Sequence, residues 1–306
     1  MEVLYMKQQI VAVFSIILFI GGCQSLLKDG EDTGTKVPST PSGENLVGPT
    51  PPSDLSPYQA LVIGNSDYKK RPLKTPINDA NSMAETLTEM GFDVILKTNL
   101  KDKEAMDDTI DDFVGRLSEL NQQGPREVVG LFYFAGHGVN RETDRKNFLI
   151  PINDTPIGTS SDLDDHAVWE RSVVNRMQQA NKALNIAIVD ACRDYALARS
   201  YSGLTTRGLR QAVERQSPSE TEMIKGGTVI AFSASDGQQA SDQGPDGIHG
   251  LYTYYLLNVI QNLPPEAARL EDIFMYTRNK VTKENQSQTP VAEFGLNSVC
   301  TLKGCQ

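Results

Sequence analysis

Leu131-Phe132-Tyr133-Phe134-Ala135-Gly136-His137-Gly138 and Ile186-Ala187-Ile188-Val189-Asp190-Ala191-Cys192-Arg193-Asp194 are built on one plan. Each opens as a short apolar run rich in β-formers and stops at a reactive side chain. That reads as a buried strand delivering the side chain to its C-terminal end. Open α/β sheets form their ligand crevices at the carboxyl ends of their strands. An imidazole and a thiol set there by two strands are the minimum parts of a cysteine nucleophile with its base.

Outward from these segments, strands and helices alternate. Residues 60–63 form a short apolar strand ended by Gly64-Asn65. Asp79 stands where it could cap a helix with the apolar face Ala80, Met83, Ala84, Leu87 and Met90, and Gly91 stops that helix. Residues 93–96 are the next strand. Met106, Ile110, Phe113, Val114, Leu117 and Leu120 mark one face of a longer helix ending near Gly124-Pro125. A short strand at 148–150 follows the His segment, and a helix around 166–182 precedes the Cys segment. A strand at 228–232, helices near 251–262 and 270–283, and a last strand at 291–294 complete the run. This order predicts an α/β sandwich with a mostly parallel sheet of about six strands and helices on both faces. No internal repeat is visible, and 58–306 reads as one domain.

Composition agrees with a folded core of that kind. The chain has 306 residues, 39% hydrophobic and 22% charged, with a net charge of -10. That acidity argues against nucleic acid as a partner, because a phosphate backbone needs a basic face.

The amino end reads as a targeting segment. Ile10 to Ile20 is apolar apart from Ser15, too short for a comfortable bilayer span and suited to a signal-peptide core, with Lys7 ahead of it. The run closes with Ile20-Gly21-Gly22-Cys23, similar to the bacterial lipobox, in which the peptide is cut before an acylated Cys. The expectation is a signal peptide over 1–22 and a lipid anchor on Cys23, holding the protein at a bacterial cell envelope. Gln24 in place of Asp gives no sign of inner-membrane retention. Residues 23–57 are rich in Pro, Gly, Ser and Thr and read as a tether. As a flexible coil it would reach roughly 30–35 Å.

The cysteines sort themselves by place. With Cys23 assigned to lipid, Cys300 and Cys305 at the C-terminus could close a small disulfide loop in an oxidising envelope. Cys192 is left over, and a leftover Cys in an exported protein reads either as a reactive thiol or as an inert buried one. Its setting among Asp and Arg at a strand end favours the reactive reading.

Taken in order, residues 60–65, Asn78-Asp79-Ala80, Gly91-Phe92, Phe134-Ala135-Gly136-His137-Gly138, Leu149-Ile150-Pro151 and Asp190-Ala191-Cys192-Arg193 resemble the caspase-like cysteine peptidases. More narrowly they are similar to the bacterial members allied to metacaspases and paracaspases. Caspase signatures of the Gln-Ala-Cys-Arg-Gly type place the His about 50 residues upstream. Here the separation is 55 (192 minus 137), with Asp190 and Asp194 in place of the outer Gln and Gly.

The resemblance implies a caspase-like three-layer sandwich and an endopeptidase. Cys192 would be the nucleophile, His137 the acid and base, and the N–H groups of Gly138 and Cys192 the oxyanion hole. No third catalytic side chain is assigned. Asp79 and Asp190 match positions that form an acidic S1 pocket for Arg or Lys in metacaspase-like enzymes. Two carboxylates there would grip a guanidinium; alternatively, Asp79 only caps its helix and Asp190 the next loop. Ala135 departs from the pattern, since many metacaspases carry Ser there.

The polar stretch at about 193–226 carries several Arg and Lys residues and reads as a long loop, open to self-cleavage or simply solvated. Residues 233–250 read as a mobile substrate loop or an ordinary turn cluster. Asp162, Asp164 and Asp165 with Asp154 are reminiscent of a metacaspase calcium site but fit no EF-hand spacing, so calcium is at most an activator and no cofactor is required. The leading expectation is a lipid-anchored enzyme acting on proteins or peptides with a basic P1 residue. The alternative is an inactive caspase-like binding module, which would need neither Cys192 nor His137.

Overall fold

The structure, a computed structural model, describes residues 55–124, 127–141, 143–192, 226–264 and 267–306. Along the chain lie β1 (Tyr58–Gly64), α1 (Pro76–Glu89), β2 (Asp93–Thr98), α2 (Lys103–Gln122), β3 (Val129–Gly136), β4 (Gly138–Asn140) and β5 (Asn147–Leu149). Then come α3 (Asp162–His166), β6 (Val168–Trp169), α4 (Glu170–Ala180), β7 (Leu184–Ala191), β8 (Thr228–Phe232), α5 (Leu251–Asn262) and α6 (Leu270–Glu284). The last strands are β9 (Val291–Gly295), β10 (Cys300–Thr301) and β11 (Gly304–Cys305).

The main sheet has six strands in the order β2-β1-β3-β7-β8-β9. Its pairs are parallel until β9, which runs antiparallel to β8. Strand alternation divides its apolar residues between two cores. Val62, Leu131, Tyr133, Ile186 and Ile188 meet residues of α1, α5 and α6 on one face. Leu61, Ile63, Phe132, Phe134 and Val189 meet those of α2 and α4 on the other. The result is the predicted three-layer α/β sandwich. Both faces being covered explains why the strands read as unbroken apolar runs. Each fully buried Leu, Ile or Phe contributes roughly 1.5–3 kcal/mol by leaving water.

Three local expectations are corrected. Asp79 does not cap α1: the helix begins at Pro76, whose fixed φ suits a first position, so Asp79 lies inside the first turn. Asp190 does not cap a loop either, because it is paired within β7 opposite Ala135. The helix expected over 166–182 is split into α3, β6 and α4, because Val168 and Trp169 pair with Leu149 and Phe148 of β5. β5 itself belongs to a separate antiparallel sheet, β4-β5-β6. The capping of α2 was not foreseen: the Asp102 side chain accepts the Ala105 N–H at 3.0 Å.

This topology decides where a crevice can form. β1 sits between β2 and β3, with α1 leaving it on one face and α2 returning on the other. Connections that diverge from neighbouring strands leave a gap at their carboxyl ends.

Candidate active site

His137 follows the last residue of β3 and is clamped by its main chain and its ring. Its N–H donates to the Tyr68 hydroxyl at 2.8 Å, and that hydroxyl donates to the Ile150 carbonyl at 3.0 Å. The His137 carbonyl accepts the Ile150 N–H at 3.0 Å. The Tyr68 ring lies 4.3 Å from the imidazole, centroid to centroid. Imidazole Nε2 is 2.7 Å from the Arg71 carbonyl oxygen. A carbonyl only accepts, so Nε2 carries the proton and the neutral ring keeps its lone pair on Nδ1. Burial holds the His137 pKa below the ordinary imidazole value, outweighing the opposite pull of the Arg71 carbonyl.

Cys192 stands in the matching place on the neighbouring strand. Gly136 and Ala191 are partners at the ends of β3 and β7, and His137 and Cys192 are the residues that follow them. The Cys192 thiol donates to the Ala240 carbonyl at 3.7 Å. A Cβ on Gly138 would sit 2.6 Å from the Cys192 carbonyl oxygen and 2.8 Å from the Ala191 Cβ. Only glycine permits backbones to approach so closely.

A cleft of about 60 Å³ joins these groups, and three carboxylates line it: Asp79, Asp190 and Asp242. Asp79 accepts the Gly250 N–H at 2.9 Å. Burial, then the neighbouring Asp190, pushes the Asp79 pKa up to about 8. Asp190 accepts the Thr253 hydroxyl at 2.6 Å, and that hydroxyl lies 2.5 Å from the Tyr133 hydroxyl. Its pKa is also raised by burial, with Asp242 adding in the same direction against the hydrogen bonds that lower it. Asp242 accepts the Lys74 and Thr75 N–H groups at 2.8 and 3.2 Å and the Thr75 hydroxyl at 2.6 Å. A Cβ on Gly250 would lie 3.2 Å from one Asp79 oxygen and 3.5 Å from one Asp190 oxygen. Ala135 also lines the cleft, and no Lys or Arg does among the described residues.

Asp242 escaped the sequence reading because it lies in a turn cluster with no periodicity. The support beneath it was equally hidden. Buried Gln288 accepts the Ser241 N–H and donates to the Ser233 carbonyl, both at 3.0 Å, tying down the 233–242 loop.

The other candidate residues lie elsewhere. His166 ends α3, and His249 sits between Asp246 and Ser82. Neither lines the cleft. The acids weighed for calcium have separate partners: Asp154 accepts the Lys70 N–H, Asp162 accepts the Gly158 and Thr159 N–H groups, and Asp164 pairs with Arg141. Among the described residues no three His, Cys, Asp or Glu side chains are grouped to hold a metal ion. Cys300 and Cys305 are joined by a disulfide across β10 and β11. Cys23 and residues 193–225 lie outside the described residues. No described helix is long and apolar enough to cross a membrane.

Comparison with known proteins places this arrangement. A family model described as the caspase domain matches residues 58–299. The crystal structure of caspase-1 from Spodoptera frugiperda superposes with a TM-score of 0.54 at 12% identity, over 85% of this chain and 98% of that one. At that identity the likeness speaks for the fold. A search of curated proteins finds no match. With the family match running from β1 through β9, around a sheet of six mostly parallel strands, the chain belongs to the caspase-domain family and is a cysteine-type peptidase.

Proposed function

We propose that this chain is a lipid-anchored endopeptidase that cleaves after Arg or Lys, with Cys192 as nucleophile and His137 as its proton partner. One observation carries the reading: the cleft lined by Cys192 and His137 is also lined by Asp79, Asp190 and Asp242, with no described cation. Burial above all, and a like charge nearby second, disfavours ionisation and raises the pKa of both Asp79 and Asp190. A guanidinium or ammonium entering the cleft supplies the missing charge and forms charge-assisted hydrogen bonds. An acidic P1 side chain finds no described cation there to pair with.

The chemistry follows from the placement. The Cys192 sulfur attacks the scissile carbonyl as thiolate, its proton going to Nδ1 of His137. The backbone N–H groups of Gly138 and Cys192 receive the oxyanion. The imidazolium then protonates the leaving amine, and water hydrolyses the thioester with the imidazole as base. Arg71 orients the imidazole through its main-chain carbonyl. Anchoring at a bacterial envelope through Cys23, and self-cleavage within 193–226, complete the proposal on sequence grounds.

Fluorogenic peptides ending in Arg, Lys or Asp, assayed with and without calcium, test it, with Cys192→Ala as control. Thiol-dependent cleavage of the Arg and Lys peptides alone is the expected result. Cleavage after Asp, or none at all, overturns it.

A further inference from the structure

A second cavity, of about 360 Å³, lies between α1 and α5 and shares no lining residue with the Cys192 cleft. Three of its lining residues are connected in one line. The Ser82 hydroxyl oxygen is 2.9 Å from Nε2 of His249, and Nδ1 of His249 is 2.6 Å from one carboxylate oxygen of Asp246. The other Asp246 oxygen accepts the N–H groups of Ile248 and His249, both at 3.0 Å. Those two bonds fix the carboxylate with its second oxygen aimed at the imidazole. A carboxylate accepts, so Nδ1 bears the proton and Nε2 turns its lone pair to the Ser82 hydroxyl. This is the order of nucleophile, base and orienting acid found in serine hydrolases, a constellation recognised by geometry and not by chain position.

We propose that Ser82, His249 and Asp246 form a second hydrolytic centre, a serine esterase site for small esters that carry a cationic group. The cavity volume is that of a small-molecule site. Glu85 and Glu89 line it with Asp246, and no Lys or Arg does among the described residues, which selects a cation. In the reaction, the Ser82 oxygen bonds to the ester carbonyl carbon and its proton passes to Nε2 of His249. The alkoxide leaves with that proton as the free alcohol. Water, deprotonated by the same nitrogen, then hydrolyses the acyl-serine to the carboxylic acid and restores the hydroxyl. The Ser82 N–H is committed within α1, and the Gln261 amide donates to the Thr86 hydroxyl at 3.1 Å, so donors to the oxyanion come from the side chains of Tyr254 and Asn258 on α5, which line the cavity.

The test uses the full chain carrying Cys192→Ala, so its outcome is independent of peptide cleavage by the thiol. Acetylthiocholine is the cationic probe and a neutral thioacetate of similar size its comparison. A fluorophosphonate serves as the active-serine label, located by peptide mass. The expected result is label on Ser82 and hydrolysis of acetylthiocholine at a lower KM than the neutral ester. Adding Ser82→Ala should cut turnover at least about 100-fold, and Asp246→Asn by about 10²–10⁴-fold with the melting temperature retained. Equal turnover with and without Ser82, or label absent from Ser82, shows that the three residues only staple α1 to the 244–250 loop, and overturns the proposal. Preference for the neutral ester overturns the substrate class.

Discussion

Nε2 of His137 lies 2.7 Å from the carbonyl oxygen of Arg71, so the imidazole takes its orientation from main chain. Arg71→Ala keeps that carbonyl and is expected to leave kcat within about threefold, whereas His137→Ala costs about 10²–10⁴-fold. The Arg71 charge also lowers the His137 pKa. Its removal should therefore move the acid limb of kcat/KM to higher pH. A limb that stays in place, measured with an Arg peptide, would show that the charge does not reach the ring.

Asp79 sets a second pH dependence. Its pKa is raised to about 8, so the folded protein holds a proton there that the unfolded chain releases from the ordinary carboxylate range upward. Stability is therefore lost as pH rises from about 4 toward 8. Asp79→Asn retains an acceptor for the Gly250 N–H and removes that loss. It should be more stable than wild type by on the order of 1–3 kcal/mol at pH 8, with the gap closing near pH 4. Wild-type KM for an Arg peptide should fall as pH rises toward 8, and the variant should lose that trend and bind at least about tenfold more weakly. Denaturant melts and a KM–pH series on both proteins check the two claims.

Gly250 keeps the space between two carboxylates open. Its φ of -63° is ordinary for any residue, so Gly250→Ala carries no backbone strain. The added methyl would stand 3.2 Å from Asp79 and 3.5 Å from Asp190. We expect KM for Arg and Lys peptides to rise about tenfold or more, with the unfolding midpoint little changed. Unaltered KM would place the P1 side chain elsewhere.

Tyr68 holds the His137 main chain through one hydroxyl that both accepts and donates. Tyr68→Phe leaves the buried His137 N–H without its acceptor, at a cost of about 1–3 kcal/mol, while the Ile150 carbonyl keeps the Asn65 amide at 3.2 Å. The imidazole then loses its fixed position, so kcat should fall more than KM changes. Steady-state kinetics beside thermal melts separate the two effects.

The Cys300–Cys305 bridge closes a short loop far along the chain from the cleft residues. Removing it with Cys300→Ser and Cys305→Ser should cost about 2 kcal/mol, on the loop-entropy argument. Peptidase kcat should be unaffected. A large loss of kcat would mean that the C-terminal hairpin supports the cleft.

How far the sequence could be read follows from which signals are local. The strands carrying His137 and Cys192 were legible because burial on both faces leaves an unbroken apolar run ending at a polar residue. The helix at 251–262 was legible to the residue, its apolar pattern beginning just after Gly250. The break between α3 and α4 was not, because a two-residue strand has no period and exists only through its pairing with β5.

By itself, the sequence determined the α/β alternation and the two reactive residues at strand ends, since periodicity and residue type report which face is buried and which group can react; Asp79 and Asp190 were singled out only through the family resemblance. Tertiary structure alone decided that the Arg71 carbonyl, the Tyr68 hydroxyl, Asp242 and Gly250 belong beside them. Asp242 reaches Lys74 and Thr75 across 168 and 167 residues of chain. Contacts of that kind depend on how distant loops close over the sheet, and no pattern within either loop encodes them.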